Sequence, residues 1–373
     1  MRRSAEYVSA KPVKLTFEPS NICHLRCPLC PTGLGLLEHS PKNANLQMFS
    51  RLLDQIGEYL FFIDFYNWGE PLINPRLEEL LAEANKHRIS TTVSTNFSLT
   101  VSDGRLKKLV ESGLNHIIIS LDGASPDTVG QYRRGSNFDL VVRNMRRLVA
   151  IRDGLGSKTP YITWQYLVFS FNEHELLKAQ DMAREIGVDR IEFARAYLDE
   201  GDHRIPVEDR LLMRKWIPSD PKLTFYDPGC AGSSLSVPLK RKATSRLPRC
   251  DWPYMSSAIN SDGSVTACCG LYKKRDDVGT LGEGGGTPFM EIYNNADFRA
   301  IRGGLAGRAE IPDRLTCSVC SSSEMMAYAK GVNRWIVLTT IAKLAEYVLK
   351  PLGELNWGRH KARKKALRIK WPE

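Results

Sequence analysis

Between Cys30 and Cys230 the chain has no cysteine at all. Its nine thiols in 373 residues fall into two groups: Cys23, Cys27 and Cys30, then Cys230, Cys250, Cys268, Cys269, Cys317 and Cys320. Such a gap in a chain of this length excludes the small secreted scaffold that substitutes disulfides for a core. The N-terminus Met1-Arg2-Arg3-Ser4-Ala5-Glu6-Tyr7 lacks an apolar run, so no secretory signal is expected. No stretch offers the ~20 apolar residues that cross a bilayer. The nearest, Val337 to Val348, is interrupted by Lys343 and Glu346. No internal repeat is evident at solenoid periods. These absences leave a cytoplasmic protein whose thiolates serve as metal or redox ligands.

Hydrophobic residues at 42% and charged residues at 25% are ordinary globular values, so a sizeable core is affordable and global disorder is excluded. Short β-rich runs occur at Lys14–Pro19, Phe61–Asn67, Ile89–Thr95, His116–Leu121, Tyr161–Val168 and Arg190–Ala196. Helical patterns lie between them near Met48–Glu58, Pro75–His87, Ser102–Ser112, Phe138–Asp153 and Glu173–Ile186. Six strands alternating with helices predict βα units and a parallel sheet. Gly57, Gly113 and Gly187 sit where left-handed helix caps are expected. After Ile205 the periodicity fades into a stretch rich in Pro, Gly, Ser and basic residues, which sets a boundary near residue 220.

The segment Cys23-x3-Cys27-x2-Cys30 follows the first strand directly. Closely spaced thiolates suit zinc or an iron–sulfur cluster. A structural zinc would want a fourth ligand and a closed tetrahedron. Three thiolates instead leave one metal position open to a reacting ligand. This triad, heading a six-unit βα run, resembles the radical S-adenosylmethionine (SAM) superfamily over roughly residues 12–200. The resemblance implies a [4Fe–4S] cluster whose open iron chelates S-adenosyl-L-methionine. Reductive cleavage of SAM then yields a 5′-deoxyadenosyl radical that takes hydrogen from a substrate. It also implies a partial (β/α)6 TIM-like barrel with the triad at its C-terminal rim. Asn67-Trp68-Gly69-Glu70-Pro71 is similar to the family's Gly-Gly-Glu motif, with Trp68 in place of the first glycine and Glu70 keeping the acceptor for the SAM amino group. The same resemblance assigns SAM contacts to Ser94 and Asn96 after strand three, and to Ser120 and Asp122 after strand four. Arg133 or Arg134 pairs with the SAM carboxylate, Arg134 being the position assigned. Gln165 and Val168 on strand five are placed near adenine.

The second group reads Cys250-x12-Gly263-x4-Cys268, then Cys317-x2-Cys320, and is similar to the SPASM and twitch extensions of the same superfamily. No cysteine follows Cys320, which favours the shorter twitch form. One auxiliary [4Fe–4S] cluster on Cys250, Cys268, Cys317 and Cys320 is implied. Cys230 and Cys269 are left over and are candidate hydrogen-atom donors to a substrate radical.

The expected division is a radical SAM core over 1–220, an auxiliary-cluster domain over 221–330 and an amphipathic, basic tail over 331–373. Arg359, Lys361, Arg363, Lys364, Lys365, Arg368 and Lys370 lie beside Trp357 and Trp371, a pattern suited to peripheral contact with anionic membrane. Dehydrogenation or epimerisation of a small polyol or glycan-related substrate is the first expectation, with electrons from a partner reductase. Maturation of a ribosomally made peptide is the alternative. A zinc- or cluster-bearing nucleic-acid binder is the remote one, opposed by the acidic strand ends at Glu70 and Asp122.

Overall fold

The computed structural model describes residues 6–195, 216–219, 250–282, 287–318 and 320. Cys230 and the basic tail lie outside these residues.

The six expected strands form. They are β1 (Lys14–Phe17), β2 (Phe62–Phe65), β3 (Ser90–Thr95), β4 (His116–Ser120), β5 (Tyr161–Val168) and β6 (Arg190–Arg195). Each pairs in parallel with the next, and helices fill the intervals: α1 (Leu46–Ile56), α2 (Leu77–Lys86), α3 (Asp103–Glu111), α4 (Pro126–Tyr132), α5 (Phe138–Gly154) and α6 (Leu176–Ile186). This is the partial (β/α)6 barrel. Among these helices only α4 lacks a counterpart in the sequence pattern.

The faces of the sheet separate by period-two alternation. Phe17, Phe49 of α1 and Phe65 pack edge-on at 4.5–5.7 Å, so Leu15, Phe17, Ile63 and Phe65 face the helices. The opposite face carries Lys14, Thr16, Asp64, Thr92, Ser94, His116, Ser120, Thr163 and Gln165. The concave side of the barrel is therefore largely polar, with Phe62, Ile118 and Tyr161 among its residues. On it Lys14 and Asp64 form a buried ion pair at 2.5 Å, and His116 meets the Thr163 hydroxyl at 2.8 Å.

Local chemistry sets the helix ends. The Asn45 side chain accepts from the Gln47 and Met48 amides to start α1, and Ser102 and Asn137 start α3 and α5 in the same way. Gly187 ends α6 at φ +85°, and Gly113 after α3 stands at φ +82°. Gly57 is a correction, since its φ of −57° is right-handed. Its lack of a side chain matters instead because a Cβ would lie 2.8 Å from the His87 ring.

The auxiliary region does not stand apart. After the short helix α7 (Trp252–Met255), strand β7 (Ser256–Ile259) joins the core sheet beside β1, with Thr16 opposite Ala258. β8 (Ser264–Thr266) and β9 (Gly279–Thr280) extend it antiparallel, giving the order β6-β5-β4-β3-β2-β1-β7-β8-β9. Helices α8 (Phe289–Tyr293) and α9 (Ala296–Leu305) follow. No helix among the described residues is long and apolar enough to cross a membrane.

Candidate active site

The predicted motifs gather at the C-terminal ends of the parallel strands, where barrel sites collect. The loop after β1 holds the thiol triad in a tight course. The Cys30 amide donates to the Cys27 carbonyl at 3.1 Å, and the Leu34 amide to the Cys30 carbonyl at 2.9 Å. A Cβ at Gly33 would fall 2.3 Å from the Cys27 carbonyl oxygen, so this crossing requires glycine. Leu25 and Cys27 pack into an apolar cluster with Tyr132, Phe169 and Trp216.

Burial pushes the Cys23 thiol up to about 11 and Cys27 up to about 12. The neighbouring thiols add to both shifts, while Arg133 draws both down. Arg133 is itself held by the Asp122 carboxylate at 2.6 Å. Left alone these thiols stay protonated. Three soft donors crowded together with little compensating charge fit a cationic iron–sulfur cluster, which displaces their protons. Cys23, Cys27 and Cys30 would hold it.

Glu70 is buried, and its carboxylate is nearly saturated. Oε1 accepts from the Leu72 amide at 3.0 Å and the Thr95 hydroxyl at 2.6 Å, and Oε2 accepts from the Asn96 amide at 2.8 Å. A carboxylate has about four lone-pair sites, so room for one further donor remains. Asn96 places its amide nitrogen 3.8 Å from Cys23 Sγ. The turn continues through Phe97 at φ +54°, an uncommon geometry for a bulky residue. Asn144 of α5 secures it by donating to the Phe97 and Leu99 carbonyls at 3.0 and 2.8 Å.

Asp122 follows β4. It is fully buried, with Oδ1 accepting from the Leu167 amide at 2.7 Å and Oδ2 from Arg133. These bonds orient Arg133 and join β4 to β5. Arg133 ends α4, whose start is fixed by Glu175 accepting from the Ala124 amide and the Thr128 hydroxyl at 2.8 and 2.6 Å. Arg134 is exposed, and its carbonyl accepts from the Arg26 amide in the triad loop at 2.9 Å. The inward arginine is Arg133. Ser94 and Gln165 are half-buried, Ser120 is buried, and all three lie on the concave face. Val168 is buried with the helix-facing residues. Because Glu70 and Asp122 are buried, they present no acidic surface, and that argument against nucleic acid lapses.

Glu18, Asn144 and Asn172 were not singled out from the sequence. Asn172 donates to the Asp122 and Leu167 carbonyls at 3.0 and 2.9 Å. No sequence motif marks it. Glu18, five residues before Cys23, stands in a strand end as Glu70 and Asp122 do, which was the available signal.

In the second group, Cys250, Cys268, Cys317 and Cys320 are electrostatic neighbours. Burial pushes Cys317 up to about 12, reinforced by Cys320, Asp276 and Cys250, and pushes Cys268 well up, reinforced by Cys269 and Cys317. The donor set again fits a cluster, here with four thiolates. Asp276 fixes the Cys317 turn by accepting from the Thr316 amide and hydroxyl at 2.6 and 2.8 Å. Cys269 diverges from its neighbour, lying half-buried near Lys14 and Asp64.

A thiol triad at a barrel rim, beside a Gly-Glu turn, is a donor set suited to an open iron–sulfur cluster. The chain belongs to the radical SAM superfamily: the superfamily model matches residues 17–161, and the model of the SPASM iron–sulfur cluster-binding domain matches 250–321. S-adenosylmethionine and [4Fe–4S] clusters, one of them auxiliary, are its cofactors. The chain is 26% identical over 181 residues to a tungsten-containing aldehyde ferredoxin oxidoreductase cofactor-modifying protein of Pyrococcus furiosus, covering 47% of this chain and 49% of that protein. It is 26% identical over 186 residues to the PqqA peptide cyclase of Ruegeria pomeroyi, covering 49% of this chain and 47% of that protein. These matches span about half the length of the curated relatives. Streptococcus suis SuiB, solved with its precursor peptide SuiA, shares the fold at a TM-score of 0.55 and 17% identity, over 80% of this chain and 70% of that one.

Proposed function

We propose that this radical SAM enzyme modifies a peptide. The observation that carries this reading is the match to a peptide cyclase across about half of the chain. The largely polar concave face, lined by Thr92, Ser94, Ser120, Thr163 and Gln165, suits a hydrogen-bonding substrate of that kind. The small-polyol expectation draws less support from the comparisons, although the same hydroxyl-rich face would serve it.

Cys23, Cys27 and Cys30 would hold a cluster that would supply the electron for reductive cleavage of SAM. The residues of this chain orient the reactants. Glu70 offers its remaining lone pair to the SAM amino group, and Arg133 offers its guanidinium to the carboxylate. The Tyr132, Phe169 and Trp216 cluster excludes water beside the triad. Cys269 is proposed as the thiol that returns a hydrogen atom where the product requires one. The working division remains a core over 1–220, an auxiliary region over 221–330 and a tail beyond.

The test uses anaerobically reconstituted full-length protein with SAM and reductant. It is incubated with peptides encoded beside the gene and, separately, with a polyol panel. Peptide-dependent 5′-deoxyadenosine and a peptide product of altered mass are expected. Stimulation by polyols alone would overturn the peptide reading.

A further inference from the structure

The chain departs from the Gly-Gly-Glu pattern at Trp68, and the structure gives that side chain a task. The Trp68 backbone amide donates to Glu18 Oε1 at 3.0 Å, and the Trp68 backbone carbonyl accepts from the Thr32 hydroxyl in the triad loop. Its indole Nε1 lies 3.3 Å from the Leu271 carbonyl, and its ring meets Tyr272 edge-on at 5.4 Å. With its amide oriented to satisfy both neighbours, Asn67 donates to the Cys269 carbonyl at 3.0 Å and accepts from the Trp68 indole at 3.2 Å. The Leu271 amide in turn donates to the carbonyl of Cys268, an auxiliary ligand, at 3.3 Å. The residues that open the SAM turn thus grip the Cys268–Tyr272 segment.

Glu18 closes a second link. Its Oε2 accepts from the Ser261 amide at 3.2 Å and hydroxyl at 3.1 Å, in the turn between β7 and β8. The SAM turn has little freedom to move away from these contacts. A Cβ on Gly69 would lie 1.9 Å from the Ser20 carbonyl oxygen, and the Glu70 amide donates to the Ile22 carbonyl at 2.8 Å. A small shift at Glu70 is therefore carried to the backbone beside Cys268.

We infer that Asn67 and Trp68 are positioning residues that couple the SAM turn to the auxiliary thiolate turn, so that SAM occupancy and the integrity of the auxiliary site alter each other. The inference rests on the proposed assignment of the two sites. Coupling of this kind is reciprocal, and a packing residue without it would give independent effects.

SAM binding, measured by anaerobic calorimetry on reconstituted full-length protein, forms a double-mutant cycle from wild type, Trp68→Phe, Cys317→Ala and the double variant. Phenylalanine keeps a ring against Tyr272 and removes both indole hydrogen bonds. Cys317→Ala is expected to weaken SAM binding about 5-fold or more with Trp68 present, and less than about 2-fold with phenylalanine there. Equal factors in the two backgrounds overturn the inference. Where Cys317→Ala does not fold, Tyr272→Leu takes its place in the cycle with the same expectations. The reciprocal readout is the electron paramagnetic resonance signal of the reduced auxiliary cluster. It should change on adding SAM in wild type and not in Trp68→Phe, and a SAM response unaltered by Trp68→Phe would also overturn the inference. Iron content and SAM binding of wild type separately test the site assignment, and absence of either sinks both.

Discussion

Asp276 offers a direct test of how the proposed auxiliary ligands are held. Its side chain is 1% exposed and accepts two bonds from one residue, the Thr316 amide at 2.6 Å and hydroxyl at 2.8 Å. Thr316 begins the short turn Thr316–Ser318, which carries Cys317. Hydrogen bonds to a charged acceptor contribute about 1.5–3 kcal/mol each. The two share a donor residue and do not add fully, so about 3 kcal/mol is a reasonable estimate for Asp276→Ala. That is a factor of about 100–200 in the population of the ligating turn. Asp276→Asn keeps one acceptor oxygen and should cost about half as much, roughly a tenfold effect. Iron per chain, measured after reconstitution and challenge with a chelator, is the assay. Wild type should carry about eight irons, and Asp276→Ala should fall toward about four while still binding SAM, with Asp276→Asn between them. Equal iron retention by Asp276→Ala and wild type would refute the reasoning, as would parallel loss of both clusters.

The remaining predictions concern other parts of the chain. Cys27→Ala should abolish SAM cleavage, and 5′-deoxyadenosine formed by this variant would defeat the triad assignment. His39 is raised above its ordinary value, chiefly by its bond to Asp277 at 2.9 Å, with Asp262 and Glu18 adding to the effect. Its stabilising contribution is complete below about pH 6.5 and is lost as pH rises through the folded-state value, so His39→Gln should flatten the thermal-melting profile above that pH. Parallel wild-type and variant profiles would exclude it. In deuterium oxide, a product that needs a returned hydrogen should gain one solvent deuterium in wild type and lose it in Cys269→Ala; retention of the label would remove that thiol from the reaction. The seven Lys and Arg residues between 359 and 370 should draw the full-length chain to anionic vesicles at about 1 kcal/mol per basic residue near the surface. Equal flotation of a 1–330 variant would count against this role.

The strands were legible because each is a short apolar or β-branched run, as in Ser90–Thr95. Helix α4 was not, because its seven residues begin at Pro126 and include Gly130, leaving too short a period to register. That omission carried a consequence. Whether Arg133 or Arg134 turns inward depends on how α4 ends against β4, and two consecutive arginines carry no local signal for it. The two cysteine groups were legible from spacing and family resemblance, whereas the bonds of Asp122 join residues 122, 133 and 167 through tertiary packing. The insertion of β7 beside β1 is likewise a long-range pairing that no local pattern announces.

The buried carboxylates explain why the rim is organised as it is. Glu18, Glu70 and Asp122 stand just beyond β1, β2 and β4, each removed from water. Such a group is costly unless its oxygens are bonded, and here every one is. Glu18 holds Trp68 and Ser261, Glu70 holds Leu72, Thr95 and Asn96, and Asp122 holds Leu167 and Arg133. Most of these bonds go to backbone amides of turns rather than outward to the concave face. The carboxylates therefore act first as fixtures that hold the turns between strands in one geometry. The open lone pair of Glu70, the side chain of Asn96 beside Cys23, and Arg133 where Asp122 aims it are the groups we propose for contact with SAM. A site fixed in this way before its ligand arrives need not reorganise to bind it, and a substitution at Glu18 or Asp122 should be felt in SAM affinity without touching SAM.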